Sequence, residues 1–242
     1  MSDFETIIFQ QAKGVAWVTL NRPHVLNAYN VKMRDEMFEV LGLIDRDPDI
    51  LVAIFRGGGE KAFCAGADLT EFGAAPSQAI ARQVRFERDV WSRFLGIKKP
   101  LIAAVHGFCF GSGMEIVLCC DLRLASEDAQ FGLPETGLGM IPAAAGTQTF
   151  SRIVGRGQAL LSLLTAERMG PEEAYRLGLV TRVVPGDRLF DEAGNLAGDL
   201  AAKDQAALRL AKETLNRGMD IPLEGGLEIE KHATLRLAAS RA

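Results

Sequence analysis

Residues 101–120 read LIAAVHGFCFGSGMEIVLCC, an apolar stretch with one acidic side chain, Glu115. The uninterrupted apolar run at its start predicts a buried strand, and the glycines at 111 and 113 predict a turn into an apolar helix. Glu115 would lie in the first turn of that helix. Burying an ionised carboxylate costs on the order of several kcal/mol unless a partner or a chemical role compensates for it. The stretch therefore indicates a catalytic carboxylate.

Strands and helices are predicted to alternate along the first two thirds of the chain, which is typical of an α/β protein. Small, turn-rich residues at 73–78 also predict a mobile loop. Strands are expected at 6–10, 15–20 and 51–55, and helices at 30–45 and 77–95.

Beyond Arg152 the pattern becomes mainly helical. With 242 residues, of which 48% are hydrophobic, the chain is long enough for one large core. We therefore expect a core domain over residues 1–188 and a helical C-terminal region over residues 189–242. Helices are predicted at 158–167, 171–177, 188–202 and 204–217, with one strand at 180–184.

The charge pattern argues against nucleic acid or an anionic membrane as the main partner. The formal net charge is −4, and Lys and Arg are scattered along the chain. No apolar stretch approaches the ~18 residues of a membrane span, and the N-terminus lacks the features of a secretory signal. We expect a soluble, cytoplasmic protein.

The cysteines and histidines do not have the spacing of a metal or redox site. The four cysteines lack a Cys-x-x-Cys motif, and the three histidines lie far apart in the sequence. The pattern predicts buried free thiols and no metal site.

Two small-residue turns share one design, in which a buried strand leads through the turn into a helix. They are Ala65-Gly66-Ala67-Asp68 and Gly111-Ser112-Gly113. A helix N-terminus carries unpaired amides and the positive end of the helix dipole, so each turn can present a backbone N–H to an anion. Two converging amides would form an oxyanion hole.

Two acids accompany these turns. Glu115 follows Ser112 by three residues and so lies on the same helix face, one turn further on. Glu135 lies among apolar and glycine residues in the segment from Phe131 to Gly139. Alternatively, Glu135 is an exposed acid that stabilises the helical turn after Pro134.

Between about Ile7 and Arg236 the chain resembles the crotonase family of enoyl-CoA hydratases and isomerases. The resemblance lies in a series of sequence blocks that occur in order along the chain. These blocks are Asn21-Arg22-Pro23-His24-Val25-Leu26-Asn27-Ala28, Ala62-Phe63-Cys64-Ala65-Gly66-Ala67-Asp68-Leu69, Gly111-Ser112-Gly113-Met114-Glu115, Phe131-Gly132-Leu133-Pro134-Glu135, residues 141–148, and Gly178-Leu179-Val180.

The resemblance implies a spiral of ββα turns whose C-terminal helices build a homotrimer or homohexamer. It implies an acyl-CoA thioester substrate and no cofactor apart from the coenzyme A of that substrate. By matching position, the amides of Ala67 and Ser112 would hold the thioester oxygen, and Glu115 and Glu135 would flank the alkene carbons. The positions that would line the substrate channel and acyl pocket are Val25, Leu26, Ala65, Gly66, Asp68, Leu69, Gly111 and Ala143.

The presence of both acids favours an enoyl-CoA hydratase. Glu115 would deprotonate the attacking water, and Glu135 would deliver a proton to the α-carbon. An isomerase, which can work with the acid at position 135 alone, is the alternative. Ser112 and Ala143 stand where the family often has glycine, and the family usually continues past residue 242 into a further CoA-contacting helix.

Two other hypotheses remain open at this point. Ser112 would act as a nucleophile with His106 as its base, although Ser112 is not framed by Gly-x-Ser-x-Gly. Alternatively, the protein would bind acyl-CoA without turnover, which two buried carboxylates argue against. The glycine-rich segments fit neither a phosphate loop nor a dinucleotide motif, so no redox cofactor is implied.

Overall fold

The computed structural model describes residues 4–71 and 87–241. In that part of the chain, nine strands form two sheets. The larger sheet has the order β1-β2-β3-β5-β7-β9, and the smaller has the order β4-β6-β8. The strands are β1 Ile7–Ala12, β2 Val15–Leu20, β3 Val52–Gly57, β4 Ala62–Cys64, β5 Leu101–Val105, β6 Phe108–Phe110, β7 Leu122–Ser126, β8 Gln130–Gly132 and β9 Arg182–Val184.

The chain winds as a spiral through both sheets. Among the described strands, β1 and β2 pair antiparallel, and the remaining strand pairs are parallel. Three successive turns, which contain β3 and β4, β5 and β6, and β7 and β8, each add one strand to the larger sheet, then one to the smaller, and return through helical segments. This architecture confirms the predicted α/β class and the spiral of ββα turns.

Nine α-helices accompany the strands in the described residues. They are α1 Val31–Arg46, α2 Val90–Gly96, α3 Ser112–Leu118, α4 Gly146–Val154, α5 Arg156–Thr165, α6 Pro171–Arg176, α7 Leu189–Ala201, α8 Gln205–Gly218 and α9 Leu223–Ala239. Of the helix expected over 77–95, residues 77–86 lie outside the described residues, as does the loop expected at 73–78. None of the helices described is both long and apolar enough to span a bilayer.

Side chains of Asn30, Asp89 and Asp204 cap three of these helices. Each carboxyl or amide oxygen accepts a hydrogen bond from the backbone N–H three residues later, at 2.8–3.0 Å. Such caps satisfy donors that a helix leaves unpaired at its start. The residues before α1, α2 and α8 therefore fix where those helices begin.

Apolar side chains cover both faces of the larger sheet. A large cluster fills one face with residues of α1 and α3, and a second cluster lies beneath α7. Leu189, Ala193 and Ala197 of α7 are buried at helical spacing against that second face. Helices α8 and α9 pack against each other. The division at residue 188 stays a prediction.

The four cysteines are buried and free, as the sequence predicts. Burial raises the pKa of the Cys64 thiol to about 12. Cys109, Cys119 and Cys120 have raised pKa values for the same reason. These thiols therefore stay protonated at neutral pH and act as small apolar side chains.

Candidate active site

The smaller sheet brings three turns to one edge. Its strands are parallel, with Cys64 opposite Cys109 and Phe110 opposite Gly132, and the pairing of β4 with β6 shifts register between Ala62 and Cys64. Strands β4, β6 and β8 therefore end side by side. The residues that follow them are the two small-residue turns and the segment that carries Glu135, so the fold places all three at the same edge.

The first two turns touch through their glycines. A Cβ added to Gly111 would lie 3.5 Å from the Cα of Gly66, and a Cβ added to Gly66 would lie 3.4 Å from the carbonyl oxygen of Phe110. Both glycines have positive φ, 110° at Gly66 and 50° at Gly111. Such backbone angles and such close contact favour residues without a side chain.

The segment from Leu26 to Tyr29 fixes the first turn. The Tyr29 N–H donates to the Gly66 carbonyl at 2.8 Å, and the Asp68 N–H donates to the Tyr29 carbonyl at 2.9 Å. The Ala65 N–H donates to the Leu26 carbonyl at 3.0 Å. The N–H of Ala67 belongs to the same trans peptide group as the Gly66 carbonyl and so points away from Tyr29.

The second turn places Ser112 at the start of α3. Gly111 precedes the helix, and Ser112 is its first residue. An amide at this position has no acceptor within its own helix. The backbone N–H of Ser112 is therefore oriented outward from the helix start, at the edge where the turn contacts Gly66.

Glu115 is buried in the first turn of α3, as the sequence predicts. The residue is only 3% exposed. Its Oε1 accepts hydrogen bonds from the backbone N–H groups of Ala144, at 2.7 Å, and Gly146, at 3.1 Å. Backbone amides at the start of α4 thus compensate for the burial of this carboxylate.

Glu135 has a different environment in the 3₁₀-helix Pro134–Leu138. Its Oε1 lies 3.1 Å from the point where a Cβ on Gly111 would stand. Its Oε2 is buried and has no hydrogen-bond partner among the described residues. Burial raises the pKa of this carboxyl above its ordinary value. The alternative of a solvent-exposed helix-start acid therefore does not hold.

Of the residues expected to line the substrate channel, Val25, Leu26 and Leu69 lie around the first turn. Val25 ends the 3₁₀-helix Pro23–Val25 and is partly exposed, and Leu26 follows it with a φ of 55°. Leu69 begins the 3₁₀-helix Leu69–Glu71 and is 55% exposed. Ala143 is exposed and directly precedes Ala144, whose amide binds Glu115.

Asp68 faces Arg22 and Thr70. One Asp68 oxygen lies 2.9 Å from Nη1 of Arg22, and the other accepts from the Thr70 hydroxyl at 2.6 Å. These hydrogen bonds, chiefly the one from Thr70, hold the pKa of Asp68 below its ordinary value. Arg22 also donates to the Ala28 carbonyl at 2.7 Å. The ion pair therefore ties the segment before Tyr29 to the turn that contains Ala67.

Sequence reasoning assigned no role to Asn27, which is fully buried. Its side-chain amide donates to the carbonyls of Gly58 and Ala62 at 2.9 and 2.8 Å, and its oxygen accepts from the Arg22 N–H at 2.9 Å. The φ of Asn27 is 56°. Asn27 and Arg22 therefore hold the Leu26–Tyr29 segment in place. The sequence block at residues 21–28, which contains both residues, was the signal that pointed to this region.

The structure gives no support to a Ser112–His106 pair. His106 precedes β6 and Ser112 follows it. The Nε2 of His106 lies 3.0 Å from the Gly59 carbonyl oxygen, and its ring packs edge-on against Phe190. Burial also lowers the pKa of His106. Across the described residues, no group of three or more His, Cys, Asp or Glu side chains is arranged to hold a metal ion.

The spiral and its pair of acids define an α/β protein with a carboxyl-lined site at the edge of its smaller sheet. The model of the enoyl-CoA hydratase/isomerase family matches residues 10–240. The chain therefore belongs to this family, the crotonase family.

Two enoyl-CoA hydratases and one solved structure are similar to nearly the whole chain. A short-chain-enoyl-CoA hydratase of Clostridium acetobutylicum is 39% identical over 231 residues, covering 96% of this chain and 88% of that protein. A crotonyl-CoA hydratase of Syntrophomonas wolfei is 36% identical over 230 residues, covering 95% and 88%. The crystal structure of an enoyl-CoA hydratase from Bacillus anthracis superposes with a TM-score of 0.90 at 37% identity, covering 95% of this chain and 90% of that one.

Proposed function

We propose that the protein is an enoyl-CoA hydratase, which adds water across the 2,3 double bond of an enoyl-CoA thioester. The observation that carries this proposal is the contrast between its two acids. Glu115 accepts two amide hydrogen bonds, whereas Glu135 has a buried oxygen without a described partner and a raised pKa. Hydration needs one carboxylate and one carboxylic acid, and two such environments favour those two protonation states.

In this proposal the amides of Ala67 and Ser112 bind the thioester oxygen. Attack on the β-carbon builds negative charge on that oxygen, and fixed N–H dipoles stabilise the enolate-like state. The contact between Gly66 and Gly111 and the outward direction of both amides support this assignment. Removal of one such donor typically costs ~10²–10³ in rate.

Glu115 acts as the general base, and Glu135 acts as the general acid. Glu115 takes a proton from the water while the oxygen of that water forms a bond to the β-carbon. Glu135 gives its proton to the α-carbon. The electron pair of the alkene passes to the α-carbon, so the product gains one water and both acids exchange protonation states. The two groups titrate as a coupled pair if they share one desolvated volume.

We further propose that the predicted lining residues form the walls of the channel. The backbone around Val25, Leu26 and Ala65 would contact the CoA portion, and Leu69 and Ala143 would border the acyl pocket. Gly66 and Gly111 would let the thioester approach the two amides. Because Asp68 forms an ion pair with Arg22, its role would be to stabilise the position of the segments that line the channel.

The test incubates the protein with crotonyl-CoA and longer 2-enoyl-CoA thioesters. We expect loss of the enoyl-thioester absorbance and a product heavier by one water. An unchanged mass with a displaced double bond would instead identify an isomerase, for which Glu135 alone suffices. Tight binding without loss of absorbance would identify a binding protein and contradict the proposal. The chemistry uses two carboxyl groups and two amides, so it requires no cofactor besides the coenzyme A of the substrate.

We also propose that α8 and α9 join copies of the chain into a homotrimer or homohexamer in the cytoplasm. A groove of about 520 Å³ lies between these helices. Large apolar side chains along it are exposed in the single chain, among them Leu215, Met219, Leu223 and Leu227. Sedimentation equilibrium should give three or six chain masses, and Leu223→Glu should lower that mass while Leu95→Glu, an exposed leucine on α2, should not. A wild-type monomer would contradict the proposal.

A further inference from the structure

Ala145 has a backbone conformation that alanine rarely adopts. Its φ is 72°, in the left-handed region, where a Cβ crowds the backbone of an L-residue. Such strain persists only where the surroundings impose it, and it often occurs at functional sites. Ala145 directly precedes α4, in the segment that contacts Glu115.

The left-handed residue stands between the two amides that bind Glu115. The N–H groups of Ala144 and Gly146, one on each side of it, both donate to Oε1 of Glu115. A left-handed residue in such a position turns nearby N–H groups toward a common point, which makes a concave site for an anion. The conformation of Ala145 thus accounts for two donors on one carboxylate oxygen.

The carbonyl of Ala145 also forms hydrogen bonds at the start of α4. It accepts from the N–H groups of Gln148, at 3.0 Å, and Thr149, at 2.9 Å, and so starts α4. The Thr149 hydroxyl adds a third hydrogen bond at 3.0 Å. The helix fixes one side of Ala145, while the amides beside it hold the carboxylate. The surroundings therefore impose the left-handed conformation from two directions.

We infer that Ala145 is a positioning residue of the proposed hydration, because its left-handed backbone aims two amides at Glu115 and fixes the carboxylate for water activation. This inference rests on the proposed function. Ala145 itself performs no proton transfer and acts through Glu115.

Ala166 provides a matched control within the chain. It is also an alanine with positive φ, 56°, and it ends α5. The N–H after it, that of Glu167, donates to the Thr165 hydroxyl at 3.4 Å. The left-handed conformation at Ala166 therefore terminates a helix, and within residues 4–71 and 87–241 the amide after it donates to a hydroxyl and not to a carboxylate.

The experiment compares Ala145→Val, Ala145→Asn and Ala145→Gly with Ala166→Val. Asparagine and valine are similar in size, but asparagine accepts the left-handed region and valine resists it. For crotonyl-CoA, Ala145→Val should lower kcat about 100-fold with KM changed less than about threefold, as expected for a misplaced catalytic group. Both Ala145→Asn and Ala145→Gly should retain kcat within about threefold because asparagine and glycine tolerate the turn. Ala166→Val should lower the melting temperature by about as much as Ala145→Val does, because both place valine at a left-handed position, but it should retain kcat.

Amide hydrogen exchange supplies a readout that does not depend on activity. Exchange at residues 144 and 146 should be at least about tenfold faster in Ala145→Val than in wild type or Ala145→Asn, since protection reports the hydrogen bonds to Glu115. If wild type lacks hydratase activity, the proposed function fails, and this measurement still decides whether Ala145 holds the carboxylate.

Three results would overturn the inference. One is an equal loss of kcat in Ala145→Asn and Ala145→Val, which would indicate that the size of the side chain, and not the backbone conformation, causes the loss. Another is full protection of both amides in Ala145→Val. The third is an equal loss of kcat in Ala166→Val, which would indicate general destabilisation. If Ala145→Val does not fold, Ala145→Asn decides alone: it must keep both kcat and amide protection.

Discussion

The two acids of the site occupy opposite kinds of environment on neighbouring turns of the same spiral. Glu115 is almost fully buried and holds two backbone amides. Glu135 is half-buried, and one of its oxygens has no partner among the described residues. The two carboxyl groups therefore differ in their hydrogen-bond partners as well as in their burial. The donors around the group decide whether the charged form or the neutral form is stabilised.

The largest expected effect comes from neutralising each acid. Glu115→Gln and Glu135→Gln should each lower kcat for crotonyl-CoA hydration by about 10³-fold, within the range of general acid–base catalysis. The glutamine oxygen at position 115 can still accept hydrogen bonds from the N–H groups of Ala144 and Gly146. The melting temperature of Glu115→Gln should therefore change little. Steady-state kinetics and thermal unfolding of both variants provide the measurement. Activity of Glu135→Gln within tenfold of wild type would refute the assignment of the acid.

A methyl group at Gly146 should disturb the hydrogen bonds that position Glu115 and leave Glu135 in place. Its Cβ would lie 2.8 Å from Oε1 of Glu115 and 2.8 Å from Cβ of Pro142. We expect Gly146→Ala to displace the carboxylate and lower kcat about 100-fold. The matched control is Gly157→Ala in α5, where an added Cβ meets nothing within 4 Å. Equal kcat values for the two variants would show that the position of Glu115 is not critical.

The pH dependence of the reaction should report Glu135. Because Glu135 donates a proton in the hydration direction, kcat/KM should fall as pH rises through its raised pKa. The fall should approach about tenfold per pH unit. Measurement of kcat/KM from about pH 4 to about pH 9 locates the descending limb. A limb centred at or below 4.5, the ordinary value for this carboxyl, would contradict a raised pKa in the free enzyme.

The smallest expected effect is on stability. A carboxyl with a raised pKa in the folded state binds more protons there than in the unfolded chain, so its contribution to stability is lost as pH rises through the folded pKa. Glu135→Gln removes this loss. Its melting temperature should therefore exceed that of wild type slightly at about pH 8 and match it near about pH 4. Scanning calorimetry at both values checks the prediction, and a variant less stable than wild type at the higher pH would contradict it.

Local sequence patterns were sufficient for the elements that carry Glu115. The apolar run 101–105 forms β5, and Glu115 lies in the first turn of an apolar helix, as predicted; the helix begins at Ser112, so Gly113 belongs to it, and the short strand β6 before it was not predicted. The α/β class followed from the alternation of such elements. The contact between Gly66 and Gly111 is different, because it depends on the register of β4 and β6, which no local pattern specifies. Resemblance to a family supplied that pairing.

Other parts of the site lay beyond sequence reasoning for physical reasons. Arg22 and Asp68 are 46 positions apart, and only the fold makes them neighbours. The positive φ of Ala145 is invisible in a sequence, since intrinsic preference assigns alanine to right-handed helices. The amides that hold Glu115 belong to backbone, which any residue provides. The sequence thus identified acids better than it identified the groups that support them.

The parallel pairing of β4, β6 and β8 also sets a distance scale for chemistry. Neighbouring strands lie about 4.8 Å apart, so the three windings of the chain that contain these strands place the groups after them at even spacing along roughly 10 Å. In the proposed site, the first winding would supply the amide of Ala67, the second the amide of Ser112 and Glu115, and the third Glu135. Because the backbone sets this spacing, replacing one side chain in one winding should alter one group of the proposed site without moving the others.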